Sequence, residues 1–133
     1  MFIDALTVFS DAQAVTVSAA STNYMDTLAA GDSYEGAWLV FRVETAFTAG
    51  GAATMQVDLQ TDDNSSFSSA TTLCTLPGGA IAVATLVAGL IRKVRIPPGA
   101  ERYLRGYYTV STGPMTAGNA DLFITKDVDL ELV

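Results

Sequence analysis

The chain has 133 residues, half of them apolar, which suits one domain around a single core. Having no histidine removes Ser-His and Cys-His nucleophile pairs, imidazole metal ligands and the usual base near neutral pH, while the lone Cys74 removes disulfide frameworks and four-cysteine zinc sites. Fourteen acidic against seven basic side chains, a net charge of -7, argue against nucleic acid as a partner, because that binding neutralises phosphates with Lys and Arg.

In chain order, the opening Met1-Phe2-Ile3-Asp4 lacks the basic region and apolar core of a signal peptide, and residues 1–13 are expected as an N-terminal arm. Residues 14–20 (AVTVSAA) read as a short strand. Residues 24–30 (YMDTLAA), stopped by Gly31, are the best helix candidate. Residues 37–47 (AWLVFRVETAF) predict a strand with Leu39, Phe41 and Val43 on one face and Trp38, Val40, Arg42 and Glu44 on the other. Gly50-Gly51 turns the chain into 54–61 (TMQVDLQT), where Met55, Val57 and Leu59 alternate with Gln56, Asp58 and Gln60.

A polar loop follows at 62–66, then a strand over 71–76 stopped by Pro77-Gly78-Gly79. The apolar stretch 80–91 (AIAVATLVAGLI) has twelve residues, short of the roughly twenty a membrane-spanning helix needs, and reads as buried strand. Residues 86–96 predict a long strand with a bulge near Arg92-Lys93, because Ile91 does not alternate strictly with Val94 and Ile96. Pro97-Pro98-Gly99-Ala100 predicts a turn into a returning strand at 103–111, and strands at 121–125 and 127–133 close the chain. The expected fold is all-β: one domain over 1–133, with seven or eight antiparallel strands in a sandwich, jelly roll or barrel.

Charge is unevenly spread. Residues 92–105 hold five cations (Arg92, Lys93, Arg95, Arg102, Arg105) and one acid, a net +4, leaving two cations and thirteen acids, a net -11, elsewhere. Because the Pro98-Gly99 turn is expected to fold the segment into a hairpin, these cations are expected to share one sheet and form a patch that docks on an acidic surface, of a partner or of another copy of this chain; the plainer account is a solvated outer face that also protects an edge strand from stray pairing. At the C-terminus Asp127, Asp129 and Glu131 alternate with Val128, Leu130 and Leu132, so three carboxylates project from one face. That spacing is too wide for a compact Ca²⁺ cage and suits ion pairing with the basic segment, within or between subunits.

Asp62-Asp63-Asn64 resembles the start of a calcium loop but lacks the central glycine and terminal glutamate, and its residue types suit a turn. Tyr103, Tyr107 and Tyr108 flank the cations; being consecutive, Tyr107 and Tyr108 must face opposite ways. Cys74, between Leu73 and Leu76, reads as a small buried hydrophobe. No glycine pattern cradles phosphate, and no carboxylate spacing singles out a hydrolase pair, so no enzyme, metal or cofactor is expected.

Residues 1–16 (MFIDALTVFSDAQAVT), 96–111 (IPPGAERYLRGYYTVS) and 113–118 (GPMTAG) resemble small capsid cement, or decoration, proteins of tailed bacteriophages of the Bordetella short-tailed type. The resemblance implies a jelly roll of about eight strands on the outside of a phage head, assembled in the host cytoplasm. It implies the major capsid protein as partner, a symmetric homo-oligomer, and no nucleic acid or membrane. Contact residues are then expected at Phe2, Ile3, Arg92, Arg95, Arg102 and Arg105, with Asp127, Asp129 and Glu131 as the acidic complement. The alternative is a β-sandwich that binds carbohydrate or another ligand through Trp38 or the tyrosines, which requires an exposed aromatic row.

Overall fold

The computed structural model describes residues 7–28 and 36–126; Phe2, Ile3, Asp127, Asp129, Glu131 and the strand expected over 127–133 lie outside the described residues. Among the described residues the strands are β1 (Val8–Ala14), β2 (Ala19–Asp26), β3 (Trp38–Ala49), β4 (Thr54–Asp62), β5 (Thr71–Thr75), β6 (Ile81–Ala82), β7 (Ile91–Arg95), β8 (Tyr103–Ser111) and β9 (Met115–Thr125). They form two antiparallel sheets, the first in the order β1-β9-β3-β7 and the second in the order β2-β8-β4-β5, with β6 beside the start of β4. Apart from the β4–β5–β6 run, each connection passes from one sheet to the other. That winding of eight main strands is a jelly roll.

Alternation builds the core. On β3 Leu39, Phe41 and Val43, and on β4 Met55, Val57 and Leu59, face inward with at most 1% exposure. They meet Leu104 and Tyr108 of β8 and Leu122 and Ile124 of β9, each large apolar side chain contributing about 1.5–3 kcal/mol by leaving water. A polar chain stitches the sheets together inside this core: the Tyr108 hydroxyl donates to Ser10 Oγ at 2.7 Å, and Ser10 Oγ donates to Gln13 Oε1 at 2.6 Å. At Gly118 (φ +123°) the β3–β9 ladder shifts register and the backbone lies so close to Phe47 that a Cβ would stand 2.7 Å from its Cα. Only glycine fits such a close approach at positive φ.

Several elements differ from the sequence expectation. Residues 8–13 of the expected arm belong to β1, paired with β9, and Phe9 is fully buried. Residues 24–26 of the helix candidate end β2 instead, because Met25 enters the core opposite Leu104 and Asp26 lies opposite Tyr103. The apolar stretch 80–91 is mostly surface: β6, a 3-10 turn at Val83–Thr85 and loops, in which only Ile81 and Leu86 are buried. Its alanines and glycines raise hydropathy without the bulk that packs a sheet face. The β3–β7 register runs without a shift, so no bulge occurs at Arg92-Lys93.

The two ends of the sandwich differ chemically. Loops 15–18, 50–53, 76–90 and 112–114 meet at one end, joined by the Met115 N–H to the Thr16 carbonyl and the Val83 N–H to the Ala53 carbonyl. None of these loops contains a charged residue, and Val17 and Val87 are exposed there at 58% and 52%. The opposite end gathers 63–70 and 96–102, with Asp63, Glu101 and Arg102.

Candidate interaction surface

The basic segment is not a hairpin. Ile96 drops into the core (2% exposed) and Pro97 and Pro98 cannot donate to a ladder, so the chain leaves the first sheet after β7 and crosses to the second before β8. Arg92, Lys93 and Arg95 therefore lie on the first sheet's edge, and Arg102 and Arg105 beside or on the second sheet. The expected single patch is two separate groups.

On the edge strand β7, Lys93 pairs with Val40 and Arg95 with Trp38, so both cations share the outer face with the indole. Their charged groups stand 4.6 Å and 4.7 Å from the Trp38 ring centroid, so both cations contact the indole. Arg95 also donates to the Gly36 carbonyl at 3.0 Å. Arg92 pairs with Phe41 and so takes the opposite face at the rim of the core. Among the described residues no carboxylate lies within 4.0 Å of these three cations. Deeper on the same outer face, Arg42 donates twice to Asp121 Oδ2, at 2.6 and 3.1 Å, while Asp121 Oδ1 accepts the Ala12 N–H.

The second sheet's outer face carries Arg102, Tyr103, Arg105 and Tyr107. Arg102 forks onto Asp26 at 2.8 and 3.0 Å. That hydrogen-bonded pair, with the Leu28 N–H, lowers the Asp26 carboxyl below its ordinary 3.8 and raises the guanidinium. Arg105 donates to Gln60 Oε1 at 2.8 Å and stacks 4.5 Å from the Phe67 centroid and 5.3 Å from that of Tyr107. Tyr24, Phe67 and Tyr103 form an edge-on cluster, with Tyr24 53% exposed. Tyr107 faces outward, half-buried, whereas Tyr108 is wholly buried. The sequence reading missed Tyr24 because it assigned that residue to a helix; a strand ending in Tyr-Met-Asp, with Met25 alone inward, is the signal that would have found it.

Asp62 closes its turn, accepting the N–H groups of Asp63, Asn64 and Ser69 at 2.7, 3.3 and 2.8 Å. These bonds, that of Ser69 foremost, lower its carboxyl below 3.8 against the opposing effect of burial. Cys74 is partly buried, and desolvation, aided by Asp58, pushes its thiol up to about 11, leaving little thiolate at neutral pH. No group of three or more Cys, Asp or Glu side chains among the described residues is placed to hold a metal ion. No helix among them is long and apolar enough to cross a membrane.

Fold and surface together define a jelly-roll β-sandwich with a cationic sheet edge, an arginine-aromatic sheet face and an uncharged end. The chain belongs to the Bbp16 family, whose model matches residues 9–124, nearly the whole of the two sheets. The family name points to a Bordetella phage protein. No curated protein matches the chain.

Proposed function

We propose that this protein is a non-catalytic cement, or decoration, protein on the outer surface of a bacteriophage head, where it binds the major capsid protein and strengthens contacts between capsid subunits. The observation that carries the reading is the Bbp16 match over residues 9–124, nearly the whole jelly roll. The chemistry of the surface agrees with it: apolar side chains are exposed at an uncharged end, and cations at a sheet edge lack carboxylate partners among the described residues. Such surfaces serve adhesion. Several weak contacts repeated around a symmetric homo-oligomer add through effective concentration, so modest single interfaces hold a shell under internal pressure. The test is to add the purified chain to expanded heads that lack it and to follow co-sedimentation and the temperature of rupture. Binding with a higher rupture temperature is expected; absence of binding, or binding that leaves rupture unchanged, overturns the proposal.

A second reading has its own observation. The exposed Tyr24 beside Tyr103, Tyr107 and Arg105 on one sheet face is the kind of aromatic-polar surface that stacks sugars. Glycan-array binding that Tyr24→Ala abolishes favours a carbohydrate module; an empty array removes it.

A further inference from the structure

We propose that the edge of β7 turned away from β3, which no described strand covers, accepts by strand addition the acidic C-terminal segment Asp127–Glu131 of a second copy of this chain. The inference rests on the homo-oligomer part of the reading above and names the contact that would build it.

The backbone supplies the first argument. β7 is the last strand of its sheet and, among the described residues, pairs only with β3. The Ile96 N–H bonds to the Ala37 carbonyl and the Leu90 carbonyl accepts the Val43 N–H, which places the even-numbered residues of this stretch in register for bonding to β3. In an antiparallel strand both polar groups of a residue point to one side and those of the next residue to the other. Ile91, Lys93 and Arg95 therefore turn their N–H and C=O groups outward, toward an incoming strand.

Charge supplies the second. The residues with open backbone groups include two cations, Lys93 and Arg95, two positions apart on one face. A strand laid beside β7 sets alternate side chains opposite them, with Cβ atoms about 5 Å apart. A basic edge repels basic strands and disfavours neutral ones, which would desolvate its cations without neutralising them, but it favours a strand with carboxylates at alternate positions. Asp127, Asp129 and Glu131 have that spacing. The intervening Val128 and Leu130 then take the side of Arg92 and Val94, where Val94 is only partly buried against the core. Extended-strand recognition of this kind draws affinity from the backbone and specificity from alternate side chains.

Reach limits what the chain's own tail could offer. Thr125 pairs with Trp38, which pairs with Arg95. From β9 past β3 and β7 to the open edge is three strand spacings, about 14 Å. At about 3.3 Å per residue that crossing uses roughly four residues, so Asp127 and Asp129 would be passed before pairing begins. Asp127 and Asp129 can therefore stand opposite Lys93 and Arg95 only when a second copy supplies them, reciprocally in a two-fold dimer or head-to-tail in a ring.

The experiment is a charge exchange in the full chain, read by light scattering in the absence of capsids. The wild type is expected to be oligomeric. Lys93→Glu with Arg95→Glu, and separately Asp127→Lys with Asp129→Lys and Glu131→Lys, should each weaken association roughly tenfold or more, and an equal mixture of the two should recover it. Circular dichroism and unfolding midpoints establish that both variants fold. Should the edge variant not fold, Asp129→Pro, which removes an N–H that the proposed added strand would donate, must still weaken association. A monomeric wild type, unchanged mass in the folded variants, or a mixture that stays monomeric overturns the inference. Head binding by the same variants reports separately on the proposed function: monomeric variants that still bind leave it standing, and oligomeric wild type that does not bind leaves only this contact.

Discussion

Ser10→Ala strands the Tyr108 hydroxyl inside the core. The hydroxyl is wholly buried and donates to Ser10 Oγ at 2.7 Å, so without Ser10 a donor loses its partner in a place water does not reach. An orphaned buried donor costs about 1–3 kcal/mol, and loss of the Ser10 bond to Gln13 adds to it, although Gln13 Oε1 still accepts the Thr22 N–H at 2.9 Å. We expect about 2–3 kcal/mol for Ser10→Ala. Tyr108→Phe should cost less, about 1 kcal/mol, because the ring keeps its packing against Phe41 and Ser10 keeps its acceptor. The decisive consequence is a change of sign: in the Ser10→Ala background, Tyr108→Phe removes the orphan and should stabilise by about 1 kcal/mol. Urea unfolding of the four proteins, with unchanged slopes, measures this cycle. If Tyr108→Phe destabilises equally in both backgrounds, the two hydroxyls do not act as a pair and the reasoning fails.

Burial also raises the Tyr108 phenol above its ordinary value of 10.0, against the opposing Ser10 bond. The folded state thus holds a proton that the unfolded state releases, so this contribution is full below pH 10 and declines as pH rises beyond it; Tyr108→Phe should flatten the alkaline loss of stability. Asp62 and Asp26 work in the opposite sense. Their carboxyls are lowered from 3.8, so their stabilisation is present above that pH and is lost as pH falls below it; Asp62→Ala should make acid unfolding shallower and speed hydrogen exchange at the Ser69 amide. Gly118→Ala should cost about 2 kcal/mol or more, since φ is +123° and the new methyl meets Phe47, and the melting temperature reports it.

The strands legible in the sequence are those with one wet face. β3 and β4 alternate because Arg42 and Gln56 point outward while Phe41 and Val57 point inward. β9 does not alternate: from Ala120 to Thr125 it is buried on both faces, and only its last five residues were anticipated. The basic segment was misplaced for another reason. Pro97-Pro98-Gly99 is a genuine local turn signal, but whether the chain returns in the same sheet depends on Ile96 entering a core built from distant residues. Of the contact residues named from the sequence, Arg102 meets Asp26 and Arg105 meets Gln60, Phe67 and Tyr107. Arg92 and Arg95 keep to the sheet edge, and the pairing of Arg102 depends on a strand end that a helix reading had hidden.

The uncharged end has a consequence for handling the molecule. Contacts made through Val17, Val87 and the loops around them contain no ions to screen, so raising ionic strength should leave them intact or tighten them by salting out. Contacts made through Lys93 and Arg95 should loosen over the same range. If the chain attaches through both surfaces, the two contacts should respond to salt in opposite senses, and a salt titration should release one while keeping the other.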